Sequence, residues 1–215
     1  MDGNGRWAER QNKSRSSGHE MGAENVRIIT EYCAKIGVKY LTLYAFSTEN
    51  WKRPKAEVEF LMKLLSRFLK KEIKTLLKNN IKFDVIGDIS KFSKSLQKTI
   101  LRAKEETIKC TGLTQILAIN YGSRDEITRC VNKLIQKGQL VKEEDISNML
   151  DTSSFPDVDL LVRTGGDQRL SNFLLWQSAY AELFFTNTLW PDFSTGELET
   201  VLAKYRTTSR RYGAL

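Results

Sequence analysis

Apolar residues along this chain fall into two rhythms. Val58, Leu61, Met62, Leu65, Phe68, Leu69, Ile73 and Leu76 recur at i, i+3, i+4, i+7 spacing, which predicts a long amphipathic helix over 58–78. Val26, Ile29, Cys33 and Ile36 keep the same spacing until Gly37 stops them, and Leu96, Ile100 and Ala103 mark another helix within 92–109. Further helices are expected near 125–137 and 143–150. Between them lie short apolar runs, Leu41–Phe46, Ile81–Ile86, Ile116–Asn120, Asp159–Arg163 and Glu182–Phe185, which read as strands. The run Ile116–Ile119 has no polar alternation, the pattern of a strand buried on both faces of a parallel sheet. Alternation of strand and helix predicts an α/β fold with a mostly parallel sheet and right-handed crossovers. Residues 10–22 read as a polar, glycine-bounded loop. Phe173–Trp176 reads as a helix start, and Trp190-Pro191-Asp192-Phe193 as a turn into a closing helix ending at Arg210–Gly213.

The chain of 215 residues is expected to be one domain, 1–215, since no linker, repeat or low-complexity block divides it. A net charge of +8 favours acidic partners, whether nucleic acid, anionic membrane or phosphorylated small molecules, without choosing among them. Cys33, Cys110 and Cys130 are odd in number and far apart, which argues for reduced thiols in a cytosolic protein over a disulfide frame or zinc site. No apolar run is long enough to span a membrane, and no signal peptide is expected. The lysines opposite the apolar face of 58–78 (63, 70, 71, 74 and 78) lack interleaved aromatics and read as a solvated face, not a nucleic-acid stripe.

The chemistry concentrates at three polar stretches. Asp2-Gly3-Asn4-Gly5-Arg6-Trp7-Ala8 sets a carboxylate and a guanidinium on either side of a glycine turn, which suits a diphosphate bridged to Asp2 by Mg²⁺ with Arg6 neutralising the rest. A dinucleotide fingerprint also fits Gly3-x-Gly5-x-x-Ala8, but that motif follows a strand and only Met1 stands upstream. Arg10, Lys13 and Arg15 extend the positive charge toward Gly18-His19, the chain's only histidine. Ser47-Thr48-Glu49-Asn50-Trp51-Lys52-Arg53-Pro54 gathers hydroxyls, acid, amide, indole and guanidinium at the carboxyl end of a predicted strand, where open α/β sheets bind ligands. Thr164-Gly165-Gly166-Asp167-Gln168-Arg169-Leu170-Ser171-Asn172, with Arg163 before it, has the composition of a phosphate site. Glu182 is either a structural carboxylate or a second metal ligand.

These segments resemble the cis-prenyltransferases, and within them the bacterial undecaprenyl diphosphate synthases. The likeness rests on Asp2–Ala8, Gly18-His19, Phe46–Pro54, Asn120–Arg124, Asp159–Thr164, Arg169–Gln177 and Trp190–Phe193, in family order over nearly the whole chain. It implies a central, mostly parallel six-stranded sheet flanked by helices, with a hydrophobic tunnel walled by 58–78 and 92–109 and closed near Leu113. It implies a cytoplasmic homodimer, in peripheral contact with the inner face of the plasma membrane and binding no nucleic acid. The activity implied is extension of farnesyl diphosphate by isopentenyl diphosphate, with cis double bonds, to a lipid carrier precursor for cell-wall glycan synthesis. By the same match Asp2 is catalytic and holds Mg²⁺, aided by Glu182. Gly3, Asn4, Gly5, Arg6, Trp7, Arg15 and His19 bind the allylic diphosphate, and Ser47, Thr48, Glu49, Trp51 and Arg53 line the reacting region. Arg163, Arg169, Leu170 and Ser171 hold isopentenyl diphosphate. Asn50 matches the residue credited with taking the proton; an amide is a very weak base, so orienting the isopentenyl group is the easier role.

Three departures from the family pattern stand out: the strand expected before Asp2 is missing, Gly165 replaces a serine, and Asp167 replaces a glutamate. Arg211-x-Gly213 resembles the C-terminal signature that reaches a partner's site. The competing reading is a non-catalytic partner subunit; such subunits lack the aspartate and arginine set present here.

Overall fold

The computed structural model describes residues 1–136, 138 and 140–209. In chain order it contains α1 (Asn4–Arg10), α2 (Arg15–Lys35), β1 (Tyr40–Ser47), α3 (Lys55–Lys78), β2 (Lys82–Ile86), α4 (Lys94–Thr107), β3 (Thr114–Tyr121), α5 (Ser123–Ile135), α6 (Glu143–Ser147), β4 (Leu160–Arg163), β5 (Glu182–Phe185) and α7 (Thr195–Thr207). Two compact units form among the described residues: Cys33–Pro156, and Met1–Tyr32 together with Asp157–Ser209.

The Cys33–Pro156 unit is built on a parallel sheet of order β1-β3-β2. β3 takes the middle because it alone is apolar enough to be covered on both faces, and every one of its residues is buried. Its register sets Thr114 opposite both Tyr40 and Lys82, so the three strands start in one row. Helix α3 buries Val58, Leu69, Ile73 and Leu76, while α4 buries Leu96, Ile100 and Ala103. Toward the start of α3 the apolar face is less covered, leaving Leu61, Met62, Leu65 and Phe68 half-buried. At the far ends of the strands Tyr121 donates to Glu126 at 2.6 Å, and Arg129 grips Asp151 with two nitrogens at 3.0 and 2.7 Å. Asp151 in turn accepts the Gly87 N–H at 3.0 Å, pinning the β2 exit.

In the other unit β4 and β5 run parallel, pairing Leu160 with Glu182 and Arg163 with Phe185. Asn25 of α2 donates to the carbonyls of Trp190 and Phe193 at 2.6 and 3.0 Å, and the Trp190 indole donates to Gly22 O at 2.8 Å. Trp7 and Ala8 pack with Leu189 beneath α1.

Four expectations change. The described residues form five strands, not six; each apolar run with strand patterning is one of them, and none remains for a sixth. The stretch from Arg15 to Gly22 is helix and not loop. Gly18 there is a point of contact and not a breaker: a Cβ on it would lie 2.0 Å from Asn4 O. No helix starts at Phe173, because Ser171, Asn172 and Leu174 take positive φ values of 48°, 64° and 46°, which a right-handed helix cannot include. The closing helix stops at Thr207, and the expected Arg210–Gly213 ending, with the Arg211-x-Gly213 signature, lies outside the described residues.

Candidate active site

Asp2 and Arg163, 161 positions apart, meet at 3.0 Å. The main chain holds them there. Thr164 Oγ1 accepts the Asp2 N–H and donates to Asp2 O, both at 2.9 Å, and the Trp190 N–H also donates to that carbonyl at 2.9 Å. The second Asp2 oxygen faces Arg6 Nη2 at 3.3 Å, while Arg6 Nη1 donates to Gly165 O at 2.6 Å. Gly165 has φ +90°, and a Cβ there would stand 2.7 Å from Arg6 Nη2. The departure from serine therefore makes room for Arg6. Arg163 is the hub: one nitrogen donates to Ser171 Oγ at 2.7 Å and to Arg169 O, the other to Asp2 and, at 3.4 Å, to Asp167. Arg169 grips Asp167 with two nitrogens, at 3.0 and 2.8 Å.

Burial on its own would raise the Asp2 carboxyl, but hydrogen bonds from Arg163 and the Gly3 N–H, with the charges of Arg163 and Arg6, outweigh it and hold the group below the usual carboxylate range. Asp2 is therefore ionised at neutral pH. Three arginines converge on two carboxylates, and the exposed Arg169 leaves this cluster open to an anion that could exchange with Asp167.

Other predicted residues lie around this cluster in different capacities. Gly3 precedes α1 and its carbonyl accepts the Trp7 N–H at 2.8 Å; Gly5 has the Arg15 guanidinium against it, 2.7 Å from where a Cβ would be. Asn4 caps the contact with α2, its Oδ1 2.1 Å from where a Cβ on Gly22 would be. His19 follows Gly18 on α2, one turn beyond Arg15. Trp7 is buried, with its indole donating to Asp192 at 2.7 Å, so it supports the turn from beneath. Leu170 is half-buried between Arg169 and Ser171. Glu182 opens β5. It pairs with Leu160 at the start of the strand pair, and Arg163 ends the same pair opposite Phe185.

In the Cys33–Pro156 unit, Thr48–Lys52 form a 3-10 turn straight after β1. The Ser47 N–H donates to Asn50 Oδ1 at 3.1 Å, which fixes the amide and leaves its N–H groups to donate to a ligand. Thr48 donates to Glu49 at 3.2 Å and Arg53 pairs with Glu57 at 2.9 Å. Trp51, 36% exposed, packs its ring against Phe46 and Phe92 and donates its indole N–H to Asn120 Oδ1 at 2.7 Å.

The chain matches from 1 to 213 the family model described as "Putative undecaprenyl diphosphate synthase". It is 59% identical over 215 residues to an isoprenyl transferase of Wolinella succinogenes, covering 100% of this chain and 94% of that one. It is 52% identical over 221 residues to one of Helicobacter pylori strain 26695, again covering 100% and 94%. The chain belongs to the undecaprenyl diphosphate synthase family of isoprenyl transferases.

Among solved structures, a lavandulyl diphosphate synthase from Lavandula x intermedia in complex with dimethylallyl diphosphate superimposes with a TM-score of 0.95 at 36% identity, covering 99% of this chain and 95% of that one. A probable undecaprenyl diphosphate synthase from Campylobacter jejuni gives 0.83 at 39% identity, covering 90% and 92%. For an isoprenyl transferase a Mg²⁺ site needs hard oxygen donors, and Asp2 fits: an ionised carboxylate, its side chain 37% exposed. No group of three or more His, Cys, Asp or Glu that could cage a metal occurs among the described residues. One carboxylate plus substrate phosphate oxygens and water is a common way of holding this ion.

Sequence reasoning named Trp51 as a site residue and Asn120 only as part of the matching Asn120–Arg124 segment. Asn120 is 1% exposed with φ +46°, and its side chain reaches two loops, accepting from Trp51 and donating to Asp88 O at 2.6 Å. The signal was an asparagine closing an apolar strand, where its tolerance of left-handed φ is useful.

Proposed function

We propose that this chain is a cis-prenyltransferase that condenses isopentenyl diphosphate onto farnesyl diphosphate repeatedly, toward undecaprenyl diphosphate, the carrier-lipid precursor for cell-wall glycan synthesis. The observation that carries this reading is the Asp2 carboxylate held between Arg163 and Arg6, with Arg169 and Ser171 ranged about Arg163. In each cycle the allylic C–O bond breaks, the isopentenyl double bond attacks the freed carbon, and inorganic diphosphate and a proton leave. Negative charge grows on the departing diphosphate, so donors fixed in advance lower the barrier.

Arg6, Arg15 and His19 bind the allylic diphosphate beside the glycine turn, and Arg163, Arg169 and Ser171 hold the isopentenyl diphosphate. Mg²⁺, held by Asp2 and phosphate oxygens, would supply Lewis-acid stabilisation of the leaving group. Asn50, its oxygen engaged by Ser47, orients the isopentenyl group through its N–H donors, and Trp51 offers an apolar wall. The half-buried Leu61, Met62, Leu65 and Phe68 suit an aliphatic chain. The enzyme acts as a homodimer in the cytoplasm and touches the inner face of the plasma membrane to release product; no helix of the described residues is long and apolar enough to cross it.

The test is incubation of the purified chain with Mg²⁺, farnesyl diphosphate and labelled isopentenyl diphosphate, followed by chromatography of the dephosphorylated product. A ladder of five-carbon steps ending near undecaprenol is expected, absent in Asp2→Ala. No product, or one formed from dimethylallyl diphosphate alone, would overturn the reading.

A further inference from the structure

The start edge of the β1-β3-β2 sheet, opposite the Ser47–Arg53 turn, carries an unusual charge distribution. Three turns meet there because the strands begin in register: 33–40 into β1, 77–83 into β2 and 108–114 into β3. They are also bonded together, Thr114 N–H to Lys39 O at 2.8 Å, Lys82 N–H to Leu113 O at 2.9 Å and Gly112 N–H to Asn80 O at 3.0 Å. These segments contain Lys35, Lys39, Lys78, Lys82 and Lys109 and no Asp or Glu. None of the five is paired with a carboxylate among the described residues. The acids nearest in sequence stand back along the helices and strand: Glu31 one turn before Lys35 on α2, the buried Glu72 on α3, Glu105 and Glu106 on α4, the latter taken by Arg102, and Asp84 of β2, taken by Lys104.

Exposed apolar side chains stand among these lysines, Tyr40 keeping one ring contact, with Phe155 at 5.9 Å. Ile108 is 64% exposed, Tyr40 45%, Leu77 44% and Ile36 36%. Lysines closing helices explain part of the pattern, since Lys35 and Lys78 complement the negative ends of α2 and α3. Lys39 and Lys82 enter strands and Lys109 lies beyond the end of α4, so the helix dipole does not account for them, nor for the exposed apolar groups. Strands lie about 4.8 Å apart, so the lysines of the three turns fall within a patch of about 20 Å, matching several lipid headgroups. A surface that is cationic, free of acids and studded with isolated apolar side chains is complementary to an anionic bilayer, whose headgroups take the lysines and whose interface takes the apolar tips.

We propose that this start edge of the Cys33–Pro156 sheet docks on anionic phospholipid bilayers. The proposal gives a place to the membrane contact invoked above, and rests on that reading for its purpose only. Binding is read without turnover, so a failed docking test and a failed condensation assay are separate results.

The experiment is co-sedimentation of the full chain with vesicles of phosphatidylcholine containing phosphatidylglycerol, against vesicles of phosphatidylcholine alone. Binding is expected to need phosphatidylglycerol and to fall with salt. The triple variant Lys39→Gln, Lys82→Gln, Lys109→Gln should lose about 100-fold in partition, roughly fivefold per lysine. The matched variant Lys63→Gln, Lys70→Gln, Lys94→Gln, with the same change in net charge, should lose less than about threefold if the effect is local. Ile108→Ser should weaken binding and leave the salt dependence in place. Unchanged melting temperatures and unchanged condensation of soluble substrates without vesicles would show that the triple variant is folded. Equal losses in both triple variants, binding that ignores phosphatidylglycerol, or edge-dependent capture of single-stranded RNA with no vesicle binding would each overturn the proposal.

Discussion

Replacing Arg163 by methionine keeps the apolar stem of the side chain and removes the group that joins Asp2 to Ser171 and the Arg169 carbonyl. Hydrogen bonds to a charged group contribute about 1.5–3 kcal/mol, and breaking a fully buried pair costs about 3–5. Here the Arg163 side chain is 14% exposed and that of Asp2 37%, so the smaller range applies. A loss of about 2 kcal/mol in transition-state binding lowers kcat/KM about 30-fold. The pH profile adds a sharper mark. In the native chain burial pushes the Asp2 carboxyl up, and the hydrogen bonds from Arg163 and the Gly3 N–H with the charges of Arg163 and Arg6 together more than reverse it. A depressed carboxyl contributes stability that is present above its unfolded pKa of about 4 and is lost as pH falls through the lower native value. Without Arg163 two of the lowering contributions are lost while burial stays, so the carboxyl rises from its native value and the acid limb of the rate profile moves to higher pH. Arg163→Lys keeps the charge but loses the fork, so it should restore the acid limb without restoring KM for isopentenyl diphosphate. Steady-state kinetics from about pH 3 to 7, which spans the ordinary carboxylate range, test both. An Arg163→Met enzyme within threefold of the native rate, or one with an unmoved acid limb, would refute the reasoning.

Asn120→Gly retains the left-handed backbone and removes the side chain, so the Trp51 indole N–H resonance should shift in ¹⁵N spectra and kcat/KM should fall about three- to tenfold; an unmoved resonance would deny Asn120 its positioning role. Gly165→Ala imposes φ +90° on a side chain and crowds Arg6, so stability should drop by about 1–2 kcal/mol with a raised KM for the allylic diphosphate, read by urea titration and kinetics. Burial pushes the Cys33 thiol up to about 12, so iodoacetamide at mildly alkaline pH should label the half-buried Cys110 first and leave Cys33 unmodified by mass spectrometry.

The strands were legible because each is a short apolar run closed by turn residues, and β3 announced its central place by lacking polar alternation. The long periodic helix was equally plain, and the five lysines read as its solvated face, 63, 70, 71, 74 and 78, are exposed. Misreadings came where tertiary contact overrode a local cue. Gly18 and Gly22 looked like breakers, yet they are the places where α2 approaches Asn4. The apolar Phe173–Trp176 run looked like a helix start, while left-handed residues on either side of Phe173 forbid one. At the site, Asp2, Arg6, Arg163, Arg169 and Ser171 were found from residue type and glycine context, and their convergence could only be inferred through resemblance. The positioning role of Asn120 was not read because it depends on hydrogen bonds to Trp51 and Asp88, far from it in sequence.

The central claim is that Asp2, pinned between Arg163 and Arg6, takes a metal together with diphosphate. Calorimetric titration of an unreactive allylic diphosphate analogue, with Mg²⁺ and then with chelator, into the native chain and into Asp2→Asn tests this most directly. Tight binding that needs both Mg²⁺ and the carboxylate is the expected result, with affinity falling at least about tenfold when either is removed. Equal affinity in all four titrations would contradict the account.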